Sequence, residues 1–306
     1  MTEALRPRPE PVPSSAGPPQ TQRSVIRIGI LLGYAKGLNK SALRYLLVHL
    51  NSLQTSFEYE FLPTDFGDDR LRGDPFLGLA AAQLVDREEM RSLIPAFLDR
   101  YRAALEQENE NYKLKEPPPE RFVLITLARF SDDWISMRRG NMHVVALGNW
   151  KRVLAPPSIL EFILTLTMRE SLAFASRSLS GSFHLGTKGC LCDFTSDLEE
   201  TRLKTLTAFI CRSCREALAS DGLSHLADEV LSVLRKDWLG KSSEPNTPAG
   251  IISSLGYDLF LTKGLQPSWW QTIKTKMQDD GIKELIKLLY ALAFAFLVFW
   301  WGWQKK

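Results

Sequence analysis

Residues 288–303, LLYALAFAFLVFWWGW, form an uncharged run that ends three residues before the last residue given. As a helix the run is ~24 Å long, and starting at Leu285 extends it to ~28 Å, close to a bilayer core of ~30 Å. The charge gained by the earlier start is Lys287, whose stem carries its ammonium to the headgroups. Trp300, Trp301 and Trp303 cluster at one end and are followed by Lys305 and Lys306, which fits an aromatic belt with a cationic anchor. A buried core helix is the alternative, but such a helix is rarely apolar on every face. The run therefore reads as one C-terminal membrane span from Leu285 to Trp303, with everything before it on one side of the membrane.

The other end of the chain differs. Residues 1–23 are rich in proline and polar residues and lack the apolar core of a signal peptide, so a disordered tail is expected. A C-terminal span without a signal peptide implies insertion after synthesis and a cytoplasmic globular part. The formal net charge of +3 and the lack of a basic stripe with interleaved aromatics argue against nucleic acid as a partner.

Between these ends the pattern is that of an α+β or α/β domain over residues 24–238. VIRIGILLG (25–33) reads as a buried strand, 39–53 as a helix and FEYEFL (57–62) as a second strand. A long helix over 88–109 places Leu93, Phe97, Tyr101 and Leu105 in register, and strands follow at 121–127 and 142–147. Ser158 and Glu161 precede an apolar run, the signature of a capping box opening a helix that runs to about Ala175. The near absence of polar residues up to Leu166 makes that helix central and buried. Residues 215–238 read as one or two amphipathic helices, 239–267 as a linker, and 268–306 as a juxtamembrane helix and anchor.

All four cysteines lie in two close pairs, Cys190-Leu191-Cys192 and Cys211-Arg212-Ser213-Cys214. Two such pairs are the sequence form of a four-thiolate zinc site, in which each short turn supplies two ligands. Cys190, Cys192, Cys211 and Cys214 are accordingly the candidate ligands of one structural Zn2+ per chain. Four small buried hydrophobes are the plain alternative. A redox pair at Cys211 and Cys214 is less well supported, since no thioredoxin-type strand precedes it.

From residue 122 onward the chain resembles the archaemetzincins, zinc peptidases of the metzincin clan. Their active helix carries HExxHxxGxxH, then a cysteine, four residues, Cys-x-Met, and later FCxxC. GCLCDFTSDLEETRLKTLTAFICRSCREAL (189–218) is similar to the second half of that pattern, with Cys190 on the second cysteine and Phe209 to Cys214 on FCxxC with one inserted residue. His184 stands six residues before Cys190, at the place of the third zinc histidine. FVLITLARF (122–130) and MHVVALGNW (142–150) resemble the two strands that precede the active helix. The resemblance implies an α+β metzincin-like mixed sheet with long helices, one of them the former active-site helix.

In place of HExxH stands Arg169-Glu170-Ser171-Leu172-Ala173. A guanidinium stays protonated and cannot ligate a metal, and alanine has no ligand atom. Glu170 and His184 are thus vestigial, with no metal-bound water for the carboxylate to deprotonate. At the second site Leu185 falls on the first cysteine while Cys192 falls on the methionine, so the thiol count remains four. His49, His143 and His225 read as ordinary residues, and Ser171, Ser176, Ser178 and Ser180 lack the context of a nucleophile. The resemblance, with these departures, implies a membrane-held, non-catalytic domain with a structural zinc that binds a protein or peptide partner. An active peptidase using His184 with Glu170, and a membrane-perturbing C-terminal helix, are the rival readings.

Overall fold

A strand buried on both faces needs a cover on each side, and the core strands here are apolar at nearly every position. The computed structural model describes residues 25–33, 38–62, 71, 83–148, 155–181, 184, 187, 189–194, 198–257 and 259. Its main sheet contains β1 (Ile26–Leu32), β2 (Phe57–Leu62), β4 (Arg121–Thr126), β6 (Ser136–Arg139) and β7 (Met142–Ala146), in the order β2-β1-β4-β7-β6. The first four strands in that order run parallel, and β6 pairs antiparallel with β7. A second, two-stranded sheet joins β3 (Leu84–Val85) to β5 (Arg129–Phe130).

Alternation along the strands sorts the core into two layers. Ile28, Ile30, Val123, Ile125 and Val145 face one layer, which also holds α1 (Lys40–His49) and α3 (Ile159–Ala175). Leu31, Phe122, Leu124, Val144 and Ala146 face the other, covered by α2 (Arg87–Tyr112) through Met90, Ile94, Phe97, Tyr101 and Leu105. Between β1 and its neighbours the packing is tight at Gly29, where a Cβ would lie 2.5 Å from Leu62 Cδ1.

The capping box of α3 is present: Ser158 accepts from the Glu161 amide, and the Glu161 carboxylate accepts from the Ser158 amide. The helix runs through the core with every residue from Phe162 to Ala173 buried. After it come α4 (Arg177–Ser180), α5 (Leu198–Thr207), α6 (Arg212–Ser220), α7 (Ser224–Leu234) and α8 (Pro248–Ser254). Residues 239–267, read above as a linker, thus include a helix whose Ala249 and Ile252 lie in the core. Among the described residues no helix is long and apolar enough to cross a membrane. The tail 1–23 and the segment 285–303, with its juxtamembrane residues, lie outside them.

Candidate metal centre

The site begins as a turn. The Cys190 amide donates to Thr187 O at 3.0 Å and the Asp193 amide to Cys190 O at 3.1 Å. Gly189 enters this turn at φ 89°, and a Cβ there would lie 2.6 Å from Thr207 Oγ1, so the position suits a glycine alone. Two backbone ties then fix what the turn faces. The Leu191 amide donates to Phe209 O at 2.7 Å, setting Cys190 against the segment that leads to Cys211. The Phe194 amide donates to His184 O at 2.9 Å, pairing His184 with Asp193. Cys211 is the N-cap of α6 and Cys214 lies in its first turn, where the positive end of the helix dipole favours thiolate.

These ties bring one donor atom each of His184, Cys190, Cys211 and Cys214 within 4.8 Å of one another. His184 Nε2 is 3.1 Å from Cys214 Sγ and 3.4 Å from Cys211 Sγ, and Cys190 Sγ is 4.0 Å from Cys214 Sγ. Tetrahedral bonds of about 2.1 to 2.3 Å separate neighbouring donors by roughly 3.5 to 3.8 Å, so the group matches the span of a four-coordinate zinc. Three soft sulfurs and an imidazole suit that ion better than a hard cation. The Cys211 amide also donates to Cys190 Sγ at 3.4 Å, which stabilises a sulfur carrying negative charge.

A further residue supports the group. Asp193 Oδ1 is 3.1 Å from His184 Nδ1, leaving Nε2 turned to the sulfurs, the arrangement that fixes a ligating histidine's tautomer. Lys204 is buried and donates to the Asp193 carbonyl; burial, reinforced by Arg169, pulls its ammonium down to about 7. Cys192 is buried as well but stands outside the group of four. The neighbouring Cys190 thiol, helped by burial, pushes its thiol up to about 12.

Glu170 lies in another environment. It has no solvent exposure, and each oxygen has a partner: Arg169 Nη1 at 2.6 Å on Oε1, and Arg138 Nε at 2.7 Å with His143 Nδ1 at 3.0 Å on Oε2. Burial pushes its carboxyl up, but Arg169, Arg138 and His143 prevail and hold it well below the usual carboxylate range. Burial pushes the His143 imidazole down, and its ring stacks on Phe174 at 3.7 Å. Arg169 donates further to Ser136, and Arg138 to the carbonyls of Leu179 and Ser180.

The predicted residues are thus divided. Cys190, Cys211 and Cys214 come together and His184 joins them, while Cys192 sits beside the group and Glu170 is enclosed by arginines. Sequence reasoning did not single out Asp193 or Lys204. Asp193 follows Cys192 directly, and an acid next to a ligand turn is the signal that points to it. Arg138 has no comparable signal, since its link to Glu170 spans 32 positions.

No protein-family model and no curated protein matches the chain. Among solved structures, archaemetzincin from Methanopyrus kandleri is 16% identical with a TM-score of 0.38, covering 65% of this chain and 97% of its own. A zinc-dependent peptidase from Methanocorpusculum labreanum is 15% identical with a TM-score of 0.37, covering 63% of this chain and 99% of its own.

Proposed function

We propose that this chain is a metal-stabilised, non-hydrolytic, archaemetzincin-like domain that binds a protein or peptide at a membrane surface, held there by residues 285–303. The observation that carries the reading is the enclosure of Glu170. A general base must reach the proton it removes, and both oxygens of this carboxylate are engaged by Arg138, Arg169 and His143. The histidine that a rival active site would borrow, His184, stands among thiols. Zinc, when bound there, supplies cross-linking of the Cys190 turn to α6; the residues on both sides supply shape.

Peptide recognition is assigned to β6, an edge strand of the main sheet. An extended peptide adds to such an edge through main-chain hydrogen bonds and needs no metal. The opposite edge, β2, is already engaged: Asn51 Oδ1 accepts from the Tyr59 amide at 2.7 Å and Asn51 Nδ2 donates to Tyr59 O at 2.9 Å. Panning a peptide library against the full chain in detergent tests the proposal. Saturable binding that disappears when alternate peptide amides are methylated is expected, with no chelator-sensitive cleavage. Cleavage stopped by a chelator, or binding indifferent to methylation, would overturn it.

A further inference from the structure

α5 is built inside out. Thr201, Lys204 and Thr205 are buried, while Leu203 and Leu206 face solvent. Thr205 is accommodated within its own helix, its Oγ1 donating to the Thr201 carbonyl at 3.0 Å. Lys204 is not. Its stem carries an ammonium into the interior, 1% exposed, where it donates to the Asp193 carbonyl. An ammonium taken out of water needs a compensating negative charge. The neighbouring cations have one each, Arg169 in Glu170 and Lys236 in Glu161. Among the described residues no carboxylate forms an ion pair with Lys204.

We propose that Lys204 is a positioning residue of the metal centre, acting through Asp193 as the counter-charge of a zinc held by three thiolates and His184. The proposal rests on the metal centre described above. Loading that centre exchanges three thiol protons for one divalent ion, so it gains one negative charge overall. The buried cation tied to it is Lys204. Its Nζ donates to the Asp193 carbonyl, the Asp193 amide donates to Cys190 O at 3.1 Å, and Asp193 Oδ1 lies 3.1 Å from His184 Nδ1. Asp193 thus receives the cation, closes the turn that carries one thiolate, and orients the imidazole.

A counter-charge and a simple clamp differ in their dependence on pH. The groups around the ammonium are Arg169 on α3, Cys190, Cys192 and Asp193 on the turn, and Lys236, which donates to the Thr205 carbonyl. Burial, reinforced by Arg169, holds the ammonium at about 7, so in the metal-free chain it is charged near pH 6 and neutral near pH 9. A counter-charge therefore favours zinc near pH 6 and adds little near pH 9. A clamp adds the same at both.

The test is the zinc affinity of the full chain in detergent, measured by competition with a chromophoric chelator for wild type and Lys204→Met. Methionine keeps most of the stem's volume and lacks the charge. The variant should bind zinc about tenfold more weakly near pH 6, and the difference should shrink to about twofold or less near pH 9. No loss at either pH would overturn the proposal, and so would an equal loss at both. A second measurement needs no variant: NMR shifts of the lysine Cε atoms through a pH titration of wild type, with and without zinc. By reciprocity the buried lysine should hold its proton to about one pH unit higher in the zinc-loaded chain. An unchanged or lower midpoint would overturn the proposal. A wild-type chain that binds no zinc would instead remove the metal centre itself.

Discussion

A carboxylate without solvent contact persists when cations reach its oxygens, and Glu170 has Arg169 on one and Arg138 with His143 on the other. Glu170→Gln leaves two guanidinium groups without their counter-charge. The variant should lose about 3–5 kcal/mol in urea denaturation yet keep its zinc, since the metal centre does not use this residue. His143 gives the cluster a pH signature. Its folded pKa lies below its ordinary 6.5, so the unfolded chain takes up a proton there that the folded chain refuses. Stability therefore falls as pH drops below 6.5, by up to about 1.4 kcal/mol per pH unit. Glu170 adds to this further down, because a depressed carboxyl gives stability that is lost as pH falls below its ordinary 4.5. In denaturation series between pH 6.5 and 5, His143→Asn should show a shallower decline than wild type. At this scale the sequence displayed three of the grouped donors, since cysteine pairs have recognisable spacing. The resemblance makes His184 a vestige of the lost catalytic site, because one residue number cannot tell which of two nearby sites its ring faces.

At the scale of elements, legibility followed the burial pattern. The strands at β1, β2, β4 and β7 and the helices α1, α2 and α3 are evident in the chain because apolar residues recur at periods of two or near four. Three strands and three helices, α4, α5 and α8, were not. β3 and β5 are two residues each, too short to show a period, and β6 reads Ser-Met-Arg-Arg. α5 inverts the usual pattern: Thr201, Lys204 and Thr205 are buried while Leu203 and Leu206 are exposed. Its inner face is polar because it backs onto Asp193, whose carbonyl accepts from Lys204. The Cys190 turn is the element on which the metal centre depends, and Gly189 is its weak point. Gly189→Ala places a side chain at φ 89° and 2.6 Å from Thr207 Oγ1. The turn should open and zinc affinity fall by about 10-fold or more, measured by competition with a chromophoric chelator.

For the whole molecule, a mostly parallel sheet with helical layers on both faces needs no metal to close its core. The two apolar clusters do that, and the sequence order of strands and helices already implied it. The proposed zinc would tie the Cys190 turn to α6, beside α5, whose Thr201, Lys204 and Thr205 are buried. Removing the metal should therefore loosen this corner and leave the sheet intact, a loss of protection confined to residues 189–214 in hydrogen exchange. The membrane proposal belongs to this scale as well. In liposome flotation the full chain should rise with the vesicles, and a chain ending at residue 284 should stay at the bottom.

The central claim is that thiols and one histidine hold an ion for shape while Glu170 holds none. Metal content per chain, measured for wild type, Cys214→Ser, His184→Ala and Glu170→Gln, tests it most directly. The account predicts one zinc in wild type and in Glu170→Gln, none in Cys214→Ser, and affinity lowered by about 10-fold or more in His184→Ala. A second zinc that disappears with Glu170→Gln, or full occupancy in Cys214→Ser, would contradict it.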